Sequence, residues 1–251
     1  EWDVDIVADH AALQRIDFEG LHQNVRNAFG LEGIRLRNLP NAQSRLTGLD
    51  VWGERDLLAL LNGNFNGFDA HHPVPEWRVY VASVPRFARD DTNSNEKTTG
   101  VMFDKFDSHQ RQGAAVFWET IEELSGSDFA RDYERVIGHE IGHTLNLLHP
   151  FSPLLGRFAT TRSKSFMNYP HLYVPGGATA YWDEIVQGET KHLRFSEGEK
   201  IHLCHSTLDY VIMGGLAFQG PDVFDNPYAY FREQFSTVSD NLGNRLSSNC
   251  A

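Results

Sequence analysis

Four residues have the types and spacing of a metal centre: His139, Glu140, His143 and His149. His139 and His143 are four apart, and on an α-helix such residues lie one turn above each other on the same face, so two imidazole nitrogens can converge on one Zn2+. Glu140 points to the side of that pair, where its carboxylate can reach a metal-bound water as a general base without becoming a ligand. A helix that continued past His143 would carry His149 about 9 Å farther along the axis and round to another face. His149 can therefore join the same ion only if the helix stops and the chain turns back. Asn146 stands where that turn is needed, and Asn is the commonest non-Gly residue to take left-handed dihedrals at a helix end. Pro150 then prevents the helix from resuming. Three neutral imidazoles leave one position of a tetrahedral zinc open for water, as in catalytic rather than closed structural sites.

These side chains need a long helix to hold them. From Asp128 onward, Phe129, Tyr133, Val136, Ile137 and Ile141 share one helical face, which predicts a helix to about Leu145 with Asp128 or Ser127 as its N-cap. Upstream, Phe18, Leu21, Val25 and Phe29 form a helical stripe over 17–29, and a second helix follows Trp52. Strands are predicted at 77–84, 99–106 and 113–121. The run from Asp90 to Lys97 reads as an exposed loop. Its acidic and Asn side chains are candidates for Ca2+, but the EF-hand spacing is absent, so calcium is left unsupported. Beyond Pro150 an irregular stretch is predicted to about residue 190, then a helix over 196–205 whose Ser-Glu-Gly-Glu start resembles a capping box.

The composition sets outer bounds. With 251 residues, 41% hydrophobic and 22% charged, the chain has the make-up of a globular protein. Lys and Arg total 22 against 34 Asp and Glu, a formal charge of −12, which argues against nucleic acid as a partner. No apolar run approaches the ~20 residues of a membrane-spanning helix. No coiled-coil pattern indicates an oligomeric state.

A second motif follows the histidines: Ser165, Phe166, Met167, Asn168 and Tyr169. Together with His-Glu-Ile-Gly-His-Thr-Leu-Asn-Leu-Leu-His it resembles the metzincin zinc metalloproteases, whose signature is H-E-x-x-H-x-x-G-x-x-H followed by a Met-turn. Asn146 replaces the usual Gly at a modest cost in strain. The match covers only His139 to Pro150 and Ser165 to Tyr169, with features of the serralysin, matrixin and astacin branches, and leaves the subfamily open. The resemblance implies an α+β fold within a single catalytic domain, residues 1–251. An upper lobe, 1–149, would carry a twisted mixed β-sheet and the long active-site helix. A lower, irregular lobe, 150–251, would carry a C-terminal helix. Met167 is implied as a hydrophobic floor beneath the histidines, and Tyr169 as a resting-state ligand or a hydrogen-bond donor to the reaction intermediate.

The implied activity is endopeptidase hydrolysis of an extended polypeptide by a metal-activated water, with Glu140 as general base. Gly113 to Thr120 occupy the chain position of the family's substrate-pairing edge strand, making Val116, Phe117 and Trp118 substrate-binding candidates; the alternative is a strand paired on both sides. Tyr169, Pro170 and His171 are candidates for the pocket beyond the scissile bond, and Phe166 belongs either there or to internal packing. The segment 171–194, with Tyr173, Tyr181 and Trp182, is a candidate rim. Two rival readings stand beside the protease: a catalytically silent zinc-binding interaction module, and a zinc hydrolase of a non-peptide amide or ester. Secretion is expected from the family resemblance, from the start at Glu1 rather than Met, and from a disulfide between Cys204 and Cys250 that would pin the tail; two free thiols are the alternative. The aromatics Phe218, Phe224, Tyr228, Tyr230 and Phe231 are expected to wrap that tail over the core.

Overall fold

The computed structural model of the chain describes residues 2–9, 23–39, 49–64, 77–88, 97–103, 111–153, 155, 159–174, 176–187, 194–205 and 211. Outside them lie Phe18, Leu21, the 90–96 run, Cys250 and the aromatics of the tail. In chain order the first half contains β1 (Trp2–Asp9), α1 (Gln23–Gly30), β2 (Ile34–Leu39), β3 (Val51–Trp52), α2 (Glu54–Asn64), β4 (Trp77–Val84), β5 (Arg86–Phe87), β6 (Gly100–Met102) and β7 (Gly113–Phe117). Five of these strands form one mixed sheet in the order β2-β1-β4-β7-β6, parallel throughout except for the antiparallel β6. Parallel neighbours cannot be joined by a hairpin, and α1 and α2 lie in the connections that return the chain to the same end.

Strand alternation divides the interior into two cores. Val79, Val81, Ala114 and Val116 face one side of the sheet, where α1 contributes Val25, Ala28 and Phe29. The intervening Tyr80, Ala82, Ala115 and Phe117 face the other, against Leu57, Leu60 and Leu61 of α2. A period of two through strands buried on both faces explains why the middle of the sheet reads as continuous apolar sequence.

β7 ends sooner than the sequence suggests. Trp118 opens α3 (Trp118–Ser125), in which Thr120 and Ile121 are buried while Glu122, Glu123 and Leu124 face solvent, a helical rather than an alternating pattern. Gly126, with φ of 54°, closes α3, and a single 3-10 turn leads into α4 (Phe129–Thr144). Asp128 is the N-cap residue as expected, yet its side chain makes no cap hydrogen bond; it pairs instead with Arg131 at 3.1 Å. Every residue of α4 from Tyr133 to Thr144 is buried, because the helix is packed by β6 and β7 below and by α1 and α3 at its sides. Val136, Ile137 and Ile141 join the α1-side core, each worth about 1.5–3 kcal/mol of burial. Tyr133 donates its hydroxyl to Ser83 at 2.7 Å, which anchors the helix to β4.

Past α4 the described residues up to 187 are irregular as predicted, except for short 3-10 turns and α5 (Gly177–Gln187). The final helix, α6 (Glu197–His205), begins with a formed capping box: Ser196 N–H donates to Glu199 Oε2 at 2.6 Å, and Glu199 N–H to Ser196 Oγ at 3.4 Å. No described helix is long and apolar enough to cross a membrane.

Candidate metal centre

The site begins with how α4 stops. Asn146 has φ of 64°, the left-handed conformation required of it. Leu147 N–H donates to Gly142 O at 3.2 Å and Asn146 N–H to His143 O at 2.9 Å. These two bonds are the 6→1 and 5→2 pair of a Schellman motif with Asn at the left-handed position. The turn reverses the chain and returns His149 to the helix face that carries His139 and His143.

Each terminal carbonyl of α4 finds a donor. Ile141 O accepts the Thr144 hydroxyl at 2.7 Å, and Gly142 O and His143 O are taken by the turn. Thr144 O accepts Arg111 Nη1 at 2.9 Å, and Leu145 O, at the C-cap, accepts His202 Nε2 at 3.2 Å. Arg111 is fully buried, has φ of 62°, and also donates to Val211 O at 3.3 Å. Its charge suits a helix C-terminus. Burial holds the His202 imidazole down to about 4, with a smaller push from Arg111, against the Leu145 carbonyl, which favours the charged form.

Three ring nitrogens meet beside this turn. His139 Nε2 lies 3.0 Å from His149 Nε2, and His143 Nε2 lies 3.1 Å from each of the other two. His139 Nδ1 donates to Phe166 O at 2.9 Å and His143 Nδ1 to Leu147 O at 2.7 Å, since a carbonyl can only accept. With the proton on Nδ1, the neutral rings of His139 and His143 turn bare lone pairs toward each other. Two bare lone pairs at 3.1 Å are not a hydrogen bond, and a shared cation is what such an arrangement suits. Burial, the His143 and His149 rings and the Arg135 guanidinium together hold His139 well below its ordinary pKa, outweighing the Phe166 carbonyl. The three histidines can hold a metal ion.

The segment Ser165–Tyr169 supports the first of them. Met167 N–H donates to Ser165 Oγ at 3.0 Å, and Asn168 uses its side chain to bind Thr161 O, Ser163 O and the Tyr169 N–H at 2.7–2.9 Å. Phe166 N–H reaches Arg194 O at 3.3 Å, so its backbone links the lead-in to α6 with the His139 ring. Met167 is fully buried, and a Cβ on Gly142 would overlap its sulfur, so the motif's inner Gly admits the methionine against α4. Tyr169 is half-buried, its ring 4.8 Å from His149 and 5.5 Å from His139. Between His149 and this segment, Thr160 N–H donates to Pro150 O at 2.7 Å and closes the intervening loop at its base.

Glu140 is 5% exposed, and its carboxylate lies against β6 at Gly100. The substrate-strand candidates lie elsewhere. β7 is paired with β4 on one side and β6 on the other, and Val116 and Phe117 are fully buried in opposite cores, so this strand is not an edge. Trp118 belongs to α3. Among the described residues the edge beside α4 is β6. Pro170 starts a 3-10 turn and His171 is exposed, stacked at 5.6 Å on Tyr169. Phe166 packs with Phe29 and Phe195, and Tyr173, Tyr181 and Trp182 belong to the same core, so none of the four lines a rim. Sequence reasoning missed Gly100, Arg111, His202 and Phe151, whose ring stacks parallel on His149 at 4.9 Å. Only Phe151, two residues from His149, carries any local signal.

No known family profile matches the chain, and a comparison with curated proteins returns no relative.

Proposed function

We propose that this protein is a secreted zinc-dependent endopeptidase of the metzincin kind, with residues 1–251 forming one catalytic domain. The observation that carries the reading is the triangle of Nε2 atoms, 3.0–3.1 Å on a side, with a buried carboxylate next in sequence to its first member. Tetrahedral ligands at the ~2.0–2.1 Å zinc–imidazole distance stand about 3.3–3.4 Å apart, so the triangle fits zinc within a few tenths of an ångström. An all-imidazole donor set suits zinc among the first-row metals. His139, His143 and His149 would hold the ion and leave a position open. Zinc bound there supplies Lewis-acid polarisation of a carbonyl and acidifies a water.

The chain's own groups do the rest. Glu140 accepts the proton of the attacking water and delivers it to the leaving amine. Tyr169, flanking two of the ligand rings, donates a hydrogen bond to the oxyanion of the tetrahedral intermediate. The outer edge of β6 is the proposed pairing strand for an extended substrate, with Pro170 and His171 on the far side of Tyr169. Secretion rests on the family resemblance, with a disulfide between Cys204 and Cys250 proposed alongside it.

The test compares the parent chain with Glu140→Ala at equal zinc occupancy, by metal analysis and by cleavage of a denatured protein substrate. Both are expected to hold one zinc per chain, with cleavage reduced by about 10²–10⁴ in the variant. A parent that holds zinc and cleaves no protein would overturn the protease reading in favour of a silent binder or a non-peptide hydrolase.

A further inference from the structure

Gly100 opens β6, paired opposite Val116. Gly is disfavoured in strands because it adds backbone entropy and offers nothing to pack, so its presence needs a cause. The cause is not conformational, since Gly100 is not among the glycines of positive φ. It is space. A Cβ at this position would stand 2.6 Å from Glu140 Oε1, 2.8 Å from Glu140 Cγ and 2.7 Å from Val136 Cγ1. Real Cβ atoms essentially never approach so closely, so an added methyl must displace something. Val136 is packed in the core between helix and sheet, whereas the Glu140 carboxylate is the end of a flexible chain and yields more easily.

We infer that Gly100 is a positioning residue for Glu140: the missing side chain on the edge strand reserves the volume in which the carboxylate sits. The inference takes the role of Glu140 from the proposed function and adds the residue that fixes its place. The His139 and His143 rings are held by the carbonyls of Phe166 and Leu147, and the atoms nearest the added Cβ belong to Glu140 and Val136 rather than to any of the three histidines. Filling the space therefore disturbs proton transfer and leaves the metal in place.

Two measurements test it. The first is a double-mutant cycle on thermal unfolding of the metal-free protein, with Gly100→Ala, Glu140→Ala and the double variant. Gly100→Ala is expected to lower Tm by several degrees in the parent and by less than half as much when Glu140 is already Ala, the remainder belonging to Val136. Equal losses in the two backgrounds would overturn the inference. The second measurement is kinetic, at equal zinc occupancy. Gly100→Ala is expected to lower kcat tenfold or more with KM within about twofold, and Gly100→Ala/Val136→Ala, which folds with less crowding, to stay slow because the Glu140 contact persists. Parental kcat, or a loss confined to a raised KM, would overturn it by showing that the strand moves and the carboxylate does not. A parent without protease activity would count against the proposed function alone, because the unfolding cycle reads the contact without catalysis.

Discussion

His202 makes the C-terminal end of α4 sensitive to acid. The imidazole is 2% exposed and donates Nε2–H to Leu145 O, and its folded pKa of about 4 stands against an ordinary 6.5. A depressed histidine pKa means that the unfolded chain binds the extra proton first. As pH falls from above 6.5 the unfolded state gains a proton that the folded state refuses, and stability drops until the folded group also protonates near 4. At 1.36 kcal/mol per decade the full loss is about 3 kcal/mol, complete below pH 4 and absent above pH 7.5. Other groups titrate in the same window, so the contribution is read as a difference. His202→Gln keeps an N–H donor for Leu145 O and removes the titration. With a chelator present throughout, urea unfolding of parent and variant is measured from pH 7.5 to 4. The stability of the parent relative to His202→Gln is expected to fall by about 3 kcal/mol across that range. A difference that stays flat would refute the reasoning, because it would mean that the charged imidazole is accommodated without loss.

Other outcomes follow from the same turn. Asn146→Gly should change stability by only a few tenths of a kcal/mol, whereas Asn146→Ala should cost about 1–2 kcal/mol through left-handed strain and weaken zinc binding by displacing His149, as read by unfolding and by competitive chelation. Arg111→Met leaves Thr144 O and Val211 O without their shared donor, and a loss of about 2 kcal/mol or more in urea unfolding is expected. Chelation should lower Tm without abolishing the far-ultraviolet helical signal, because α4 and its turn are held by protein contacts. Zinc at a thousandfold its Kd should restore about 4 kcal/mol.

What could be read in the sequence was what local chemistry determines. The four-residue spacing of His139 and His143, the left-handed Asn146 and the Ser196–Glu199 capping box all depend on neighbours within a turn, and the structure reproduces each. The strands at 2–9 and 34–39 have no local signature because their existence depends on β1 pairing in parallel with β2 and β4 across long connections, and Arg35, Arg37 and Asn38 interrupt the apolar pattern of the second. The position of β7 in the chain leaves open an edge strand or one paired on both sides, and its place in the sheet is set by β6 adding antiparallel outside it. The β-rich sequence running through Phe117 into Trp118 concealed the switch to helix. Arg111 and His202 lie 33 and 57 residues from the carbonyls they satisfy, a distance at which no periodicity operates.

The bond between Thr160 N–H and Pro150 O has a consequence for how this protein can vary. It pins together the two ends of the loop that follows the third histidine, while Ser152 N–H holds the exit from His149 at 2.9 Å. The segment between Pro150 and Thr160 is thus closed at its base by one backbone bond. Lengthening it costs only about 0.6 kcal/mol per doubling and pulls on neither His149 nor the segment Ser165–Tyr169. Changes of length can accumulate there by insertion and deletion, in increments that leave the arrangement of the three histidines untouched.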